Sequence, residues 1–145
     1  MTGDSAPAPA GYAPVFADAG FNKYVGPVWR AEDGSDFRFT VRDVHMNGGG
    51  ALHGGMLMAL ADIAMGKTVQ LALAADGQRA MTVSLSCDFI GAVKLGETIV
   101  THVSITRRTR SIVFVTAALA VDERPVLTAT GLWKVLGSAV EGERG

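Results

Sequence analysis

One cysteine in 145 residues, Cys87, leaves the chain without a partner for an internal disulfide. That usage fits a reducing, cytoplasmic setting, with Cys87 packed as a small hydrophobe. A surplus of charge is also lacking. Lys+Arg 13 against Asp+Glu 14 gives a formal net charge of -1, so there is no basic field to hold nucleic acid and no acidic tail. The opening stretch MTGDSAPAPAGYAP has neither the basic nor the apolar region of an export signal, and residues 1–14 read as a disordered arm. Residues 137–145, glycine-rich and charged, read as a flexible tail. No internal repeat breaks up the remainder, so residues 15–136 are expected to form a single domain.

Several catalytic signatures are missing as well. There is no Gly-x-Ser-x-Gly to anchor a serine hydrolase triad. Gly66-Lys67-Thr68 resembles the end of a phosphate-binding loop, but Ala61 stands where that loop needs a glycine, and the segment lies within a helical run. His45, His53 and Asp62 do not have the spacing of ligands one helical turn apart, so no metal is expected. Met46, Met56, Met58 and Met65 are better read as pliable core or pocket lining than as a metal stripe.

What is present is an apolar composition of 48%, enough for a sizeable core, and one long helix-forming run from Met56 to Ala75. Asp62, Lys67 and Gln70 within that run argue against a membrane span, each charge costing about 3 kcal/mol at a bilayer centre. A helix apolar nearly all round fits better inside a curled sheet, with its remaining face against a partner. Strands are expected at 27–32 and 36–42, a hairpin around Asp33-Gly34, and then at 81–90, 98–106, 112–121 and 126–135. In the first of these later strands, alternation puts Val83, Leu85, Cys87 and Phe89 on one face and Thr82, Ser84, Ser86 and Asp88 on the other.

The informative block is HMNGGGALHGGMLMALAD, residues 45–62. Glycines 48–50 lead into His53-Gly54-Gly55, where the helix is expected to begin. The first N–H groups of a helix lack intrahelical acceptors and carry the positive end of its dipole, so bare glycines there can receive a carbonyl oxygen or an anion. Asp62 is the one carboxylate on the apolar run. A buried carboxylate is costly unless paired, which makes Asp62 a candidate for chemistry, or else for a plain pairing with Lys67 or an arginine. Gly54 and Asp62 lie eight residues apart, about 12 Å along one helix, too far to act on the same atom. Two chains with these helices antiparallel about a two-fold axis would bring Asp62 of one subunit to the Gly54 N–H of the other. Catalysis therefore implies a homodimer.

The pattern His45-x-Asn47-x-x-Gly50-x-Leu52-His53-Gly54-Gly55, followed by Leu60-x-Asp62 and, further on, Leu95-Gly96-Glu97, resembles the hotdog-fold acyl-CoA thioesterases of the phenylacetate-degradation (PaaI) type. The resemblance implies an α+β hotdog fold, an antiparallel sheet wrapped around one long central helix. It implies an acyl-CoA substrate and a homodimer that can pair into a dimer of dimers. The position of Asp62 would be the nucleophile or general base, and Gly54 would offer its N–H to the thioester carbonyl across the interface. Asn47 would help to hold the thioester or the water, Thr82 would stand beside the carboxylate, and His53 would have a structural or orienting role. No cofactor is implied beyond the coenzyme A of the substrate itself.

Arg107, Arg108 and Arg110 crowd one turn beside Thr109 and Ser111. Guanidinium groups hold phosphate oxygens through charge-assisted bonds, so this turn and Gly55 are candidate coenzyme A contacts; a solvated turn is the competing reading. Two alternatives to hydrolysis follow from the same resemblance. One is a non-catalytic acyl-CoA-binding module in which Asp62 is a satisfied polar group. The other is a hotdog dehydratase or isomerase, whose histidine motif is not recognisable here.

Overall fold

The computed structural model describes residues 7–18 and 20–137. The expected arm over residues 1–6 and the tail over 138–145 lie outside the described residues. In chain order the elements are β1 (Tyr12–Pro14), α1 (Gly20–Val25), β2 (Trp29–Ala31), β3 (Phe37–Thr40), a single 3-10 turn (Asp43–His45), α2 (Gly54–Ala74), β4 (Arg79–Phe89), β5 (Thr98–Arg108), β6 (Ile112–Val121) and β7 (Arg124–Leu136). All seven strands join one antiparallel sheet in the order β1-β2-β3-β5-β6-β7-β4. The sheet curls around α2, as the apolar composition of that helix requires. Leu60, Met65, Val69 and Leu73 of α2 are fully buried against Phe39, Ile99, Val113, Leu119 and Leu127 of the strands. Each such side chain is worth about 1.5–3 kcal/mol of burial, so this layer dominates the stability of the fold.

Three expectations need correction. The disordered arm does not reach residue 14, because Tyr12, Ala13 and Pro14 pair with Ala31, Arg30 and Trp29 as an edge strand. A tyrosine hydroxyl bonded to Asp36 and a ring lying under Arg38 hold it there, contacts too long in sequence for local composition to reveal. The short helix α1 was not expected either. Its C-terminal carbonyls, which have no helical partners, are gathered by two later side chains: the Arg42 guanidinium donates to the carbonyls of Tyr24, Val25 and Gly26, and His45 Nε2 donates to that of Val25.

The third correction matters most for the site. The alternation expected along β4 fails at Val83. Against β7, Thr82 pairs with Trp133 while Ser84 pairs with the next residue, Leu132, so Val83 is an extra residue, a β-bulge. The bulge changes which face each side chain occupies. Thr82 turns inward towards α2 with Leu85 and Cys87, and Val83 stands 51% exposed.

Candidate active site

The glycine turn before α2 is tied by Asn47. Its Oδ1 accepts from the N–H groups of Gly49 and Ala51 at 2.8 and 3.1 Å, and its own N–H donates to the Ala51 carbonyl. Gly50, at φ 85, closes the turn in the left-handed region where glycine is favoured. His53 then caps α2: it is extended, and its Nδ1 accepts from Gly55 N–H at 2.8 Å, which places the proton of the neutral ring on Nε2. A side chain at Gly55 would collide with that ring, its Cβ 2.9 Å from Nδ1. Gly54 N–H, the first of the helix, finds no acceptor within the chain among the described residues. The ring of Phe89 lies over Gly54, close enough that a Cβ there would sit 3.2 Å from it. The helix N-terminus thus presents a bare donor beside an aromatic wall.

Asp62 is two turns further along α2, half-buried rather than sealed in the core. Thr82 donates to its Oδ1 at 2.8 Å, a bond that exists because the bulge turned Thr82 inward. The plain pairing with Lys67 does not occur: that ammonium bonds Gln70 Oε1 and lies 5.0 Å over the Phe16 ring. Asp62 and Thr82 open on a cavity of about 390 Å³ whose walls also include Phe16, Asn22, Gly66 and Trp133.

Within one chain, Asp62 and Gly54 remain apart along α2, as their spacing requires. The arginine turn is further still, at the opposite end of that helix. There Arg108 is fully occupied, donating to the Ala72 carbonyl, to Asp76 at 2.5 Å and to Gln78 at 3.3 Å, and so fastening the end of α2 to β5. Arg107, Arg110 and Ser111 are exposed beside it. Leu95-Gly96-Glu97 supports the site from outside: Glu97 accepts from Lys94 N–H and from Arg124, and Arg124 also donates to the Ala92 carbonyl, fixing the loop after β4. Those donors hold the Glu97 carboxyl below the usual range, the Lys94 N–H contributing most.

A family model described as the thioesterase superfamily matches residues 49–127, more than half of the chain, from the glycine turn to β7. The chain belongs to the thioesterase superfamily. Thioester hydrolysis is accordingly its activity, and the hotdog fold expected from the sequence is the one observed. The chain is similar to the protein named "Putative esterase PA0474" of Pseudomonas aeruginosa, 28% identical over 128 residues that cover 86% of this chain and 95% of that one. The crystal structure of BH2602 from Bacillus halodurans, solved with CoA, superposes with a TM-score of 0.72 at 24% identity, covering 81% of this chain and 77% of the other. The PaaI protein of the E. coli phenylacetic acid degradation operon gives 0.65 at 20% identity, covering 71% and 72%. At these identities the two structures bear on the fold.

Sequence reasoning missed part of this thioesterase's pocket. Phe16 and Asn22 reach it from the stretch around β1 and α1, where no motif stands. Gly66 did leave a signal, a glycine in the middle of a helix, where it costs about 1 kcal/mol relative to alanine.

Proposed function

We propose that the protein is an acyl-CoA thioesterase whose two sites are each built from two chains, Asp62 of one subunit facing the Gly54 N–H of its partner. The observation that carries this reading is the pairing of an unsatisfied helix-terminal donor with a threonine-held carboxylate on a single helix too long for them to meet. The β4 edge supports the dimer. Among the described residues it ends the sheet with a long strand unpaired on one side, and Met81, Val83, Phe89 and Ile90 on or next to it are more than half exposed. Edges of that kind invite pairing with another chain, and β4-to-β4 pairing would set the two α2 helices side by side and antiparallel.

The substrate carbonyl docks on Gly54 N–H, where the helix terminus stabilises the developing oxyanion. Asp62 then either attacks the carbonyl carbon, giving an anhydride that water opens, or takes a proton from a water that attacks directly. In both routes the carbon–sulfur bond breaks and coenzyme A leaves as a thiolate that is then protonated. Thr82 fixes the Asp62 carboxylate, Asn47 holds the turn and keeps its amide N–H groups for substrate or water, and His53 orients the helix start. Arg107 and Arg110, with Ser111 and Gly55, contact the coenzyme A phosphates, while Arg108 serves the fold. We place the enzyme in the cytoplasm, where acyl-CoA is the substrate and no added cofactor is called for.

Complementation between subunits tests the reading. Asp62→Asn removes the carboxylate. Gly54→Pro removes the N–H at a position where proline suits a helix, since His53 ahead of it is already extended at φ -62 and ψ 131. Each variant alone is expected to lose thiol release from acyl-CoAs by about a hundredfold or more. Mixed and refolded together, they should recover about one quarter of wild-type activity, because each heterodimer rebuilds one intact site. Near-normal turnover of Asp62→Asn, or no recovery on mixing, would overturn the mechanism; tight acyl-CoA binding without turnover by the wild type would make the protein a binding module.

A further inference from the structure

The cavity beside Asp62 contains a polar group that the hydrolytic machinery does not use. Trp133 is 2% exposed, and no hydrogen bond among the described residues engages its indole N–H, yet the side chain lines the cavity. Its neighbour across the strands is Thr82, the residue that holds Asp62. Directly opposed residues of antiparallel strands project on the same face with their Cβ atoms about 5 Å apart, so Trp133 enters the cavity next to the catalytic pair.

Gly66 explains why the indole nitrogen is uncovered. It lies on the same face of α2 as Asp62, one turn later, and a Cβ there would sit 3.7 Å from Trp133 Nε1. A mid-helix glycine is unfavourable for the helix, and here its lack of a side chain opens a path from the cavity to the indole N–H. On the remaining side the wall is made by Asn22, half-buried and with no side-chain hydrogen bond among the described residues, and by Phe16, held in the left-handed region at φ 49. The cavity opens to solvent and its walls also carry Gln70, Gln78 and Arg79, but an occupant seated against Trp133 displaces water from the indole N–H, and a purely hydrocarbon one gives that donor no acceptor in return.

We propose that this cavity receives the acyl group and that Trp133 selects acyl groups carrying a hydrogen-bond acceptor, an oxygen substituent placed to meet the indole N–H, over hydrocarbon groups of the same size. Asn22 and Phe16 form part of the far wall. The assignment rests on the thioesterase reading for its substrate but not for its binding measurement.

The test uses isosteric pairs that differ only in the acceptor, methoxyphenylacetate against ethylphenylacetate, both as free acids and as coenzyme A thioesters. Calorimetry of the free acids reports the pocket without turnover, and thiol release reports catalysis. The wild type is expected to favour the methoxy member by about fivefold in affinity and in kcat/KM. Trp133→Phe should lower the methoxy compound to the level of its ethyl partner in affinity and in kcat/KM. Gly66→Ala, which keeps the tryptophan and favours the helix, should reduce the same preference and so guards against a packing defect in Trp133→Phe. Equal handling of the two members by the wild type, or a preference that survives both substitutions, would overturn the proposal even if thiol release is brisk. A preference seen in binding with no thiol release from either thioester would uphold the pocket and overturn the thioesterase reading instead.

Discussion

His45 shows how much of the glycine-rich block is devoted to architecture. It is 3% exposed, packs at a tilt against the ring of Phe39, accepts from Arg42 N–H through Nδ1 and donates to the Val25 carbonyl through Nε2. Burial pushes its pKa below the ordinary 6.5, and the Arg42 charge adds to this, so the folded protein keeps the ring neutral. The unfolded chain takes up the proton near 6.5. Stability is therefore full above that pH and is lost as pH falls from 6.5 through the depressed folded value. Thermal unfolding across pH 5 to 8 is expected to show a Tm that falls on the acid side, with the slope much reduced in His45→Gln, which keeps a donor and an acceptor but cannot be protonated. An unchanged slope in that variant would shift the acid sensitivity to other groups. Asp62, by contrast, keeps contact with solvent and accepts from a neutral hydroxyl, the setting that the proposed mechanism asks of its carboxylate.

At the scale of elements, α2 and the four strands after it were legible because their periodicity is strong and their ends are marked by Gly54, Asp122 and Pro125. The single-helix sheet order followed from them. What local pattern could not reveal depends on distant partners: β1 exists through Asp36 and Arg38, and α1 through Arg42 and His45. The bulge in β4 is invisible to alternation, since Val83 looks like any inward strand residue until its pairing with β7 is known. Asp62 and Gly54 could be singled out because a carboxylate and bare glycines are anomalies in an apolar helix; Trp133 and Asn22 could not, being ordinary residues where they stand. The arginine turn divides by the same logic. Arg108→Ala, which removes three contacts to the end of α2, is expected to cost about 1 kcal/mol of stability in denaturant melts and leave KM for acyl-CoA little changed. The pair Arg107→Ala and Arg110→Ala should do the reverse, raising KM several-fold in a salt-dependent manner; a KM that does not move would leave the turn as a solvated one.

For the whole molecule, the asymmetry between the two sheet edges is what selects the interface of the proposed dimer. The β1 edge is three residues long, whereas β4 offers eleven, with Met81, Val83 and Phe89 more than half exposed among polar neighbours. Val83→Lys places a charge at the middle of that edge, on a side chain already in solvent, so the single chain should fold normally. Light scattering is expected to report a monomer, and thiol release should drop to the level of Asp62→Asn, because neither site would then have both halves. A dimer with full activity would place the interface elsewhere.

The extra residue in β4 also has a bearing on how this enzyme can change over generations. Val83 acts as a phase shifter between two stretches of one strand, each with its own inside and outside. A slip of the earlier stretch by one residue, taking Val83 into the place opposite Trp133, would leave the later stretch in register and the helix packed, yet rotate Thr82 away from Asp62. Substitutions that favour that slip would part a descendant from the Thr82 contact while keeping the fold.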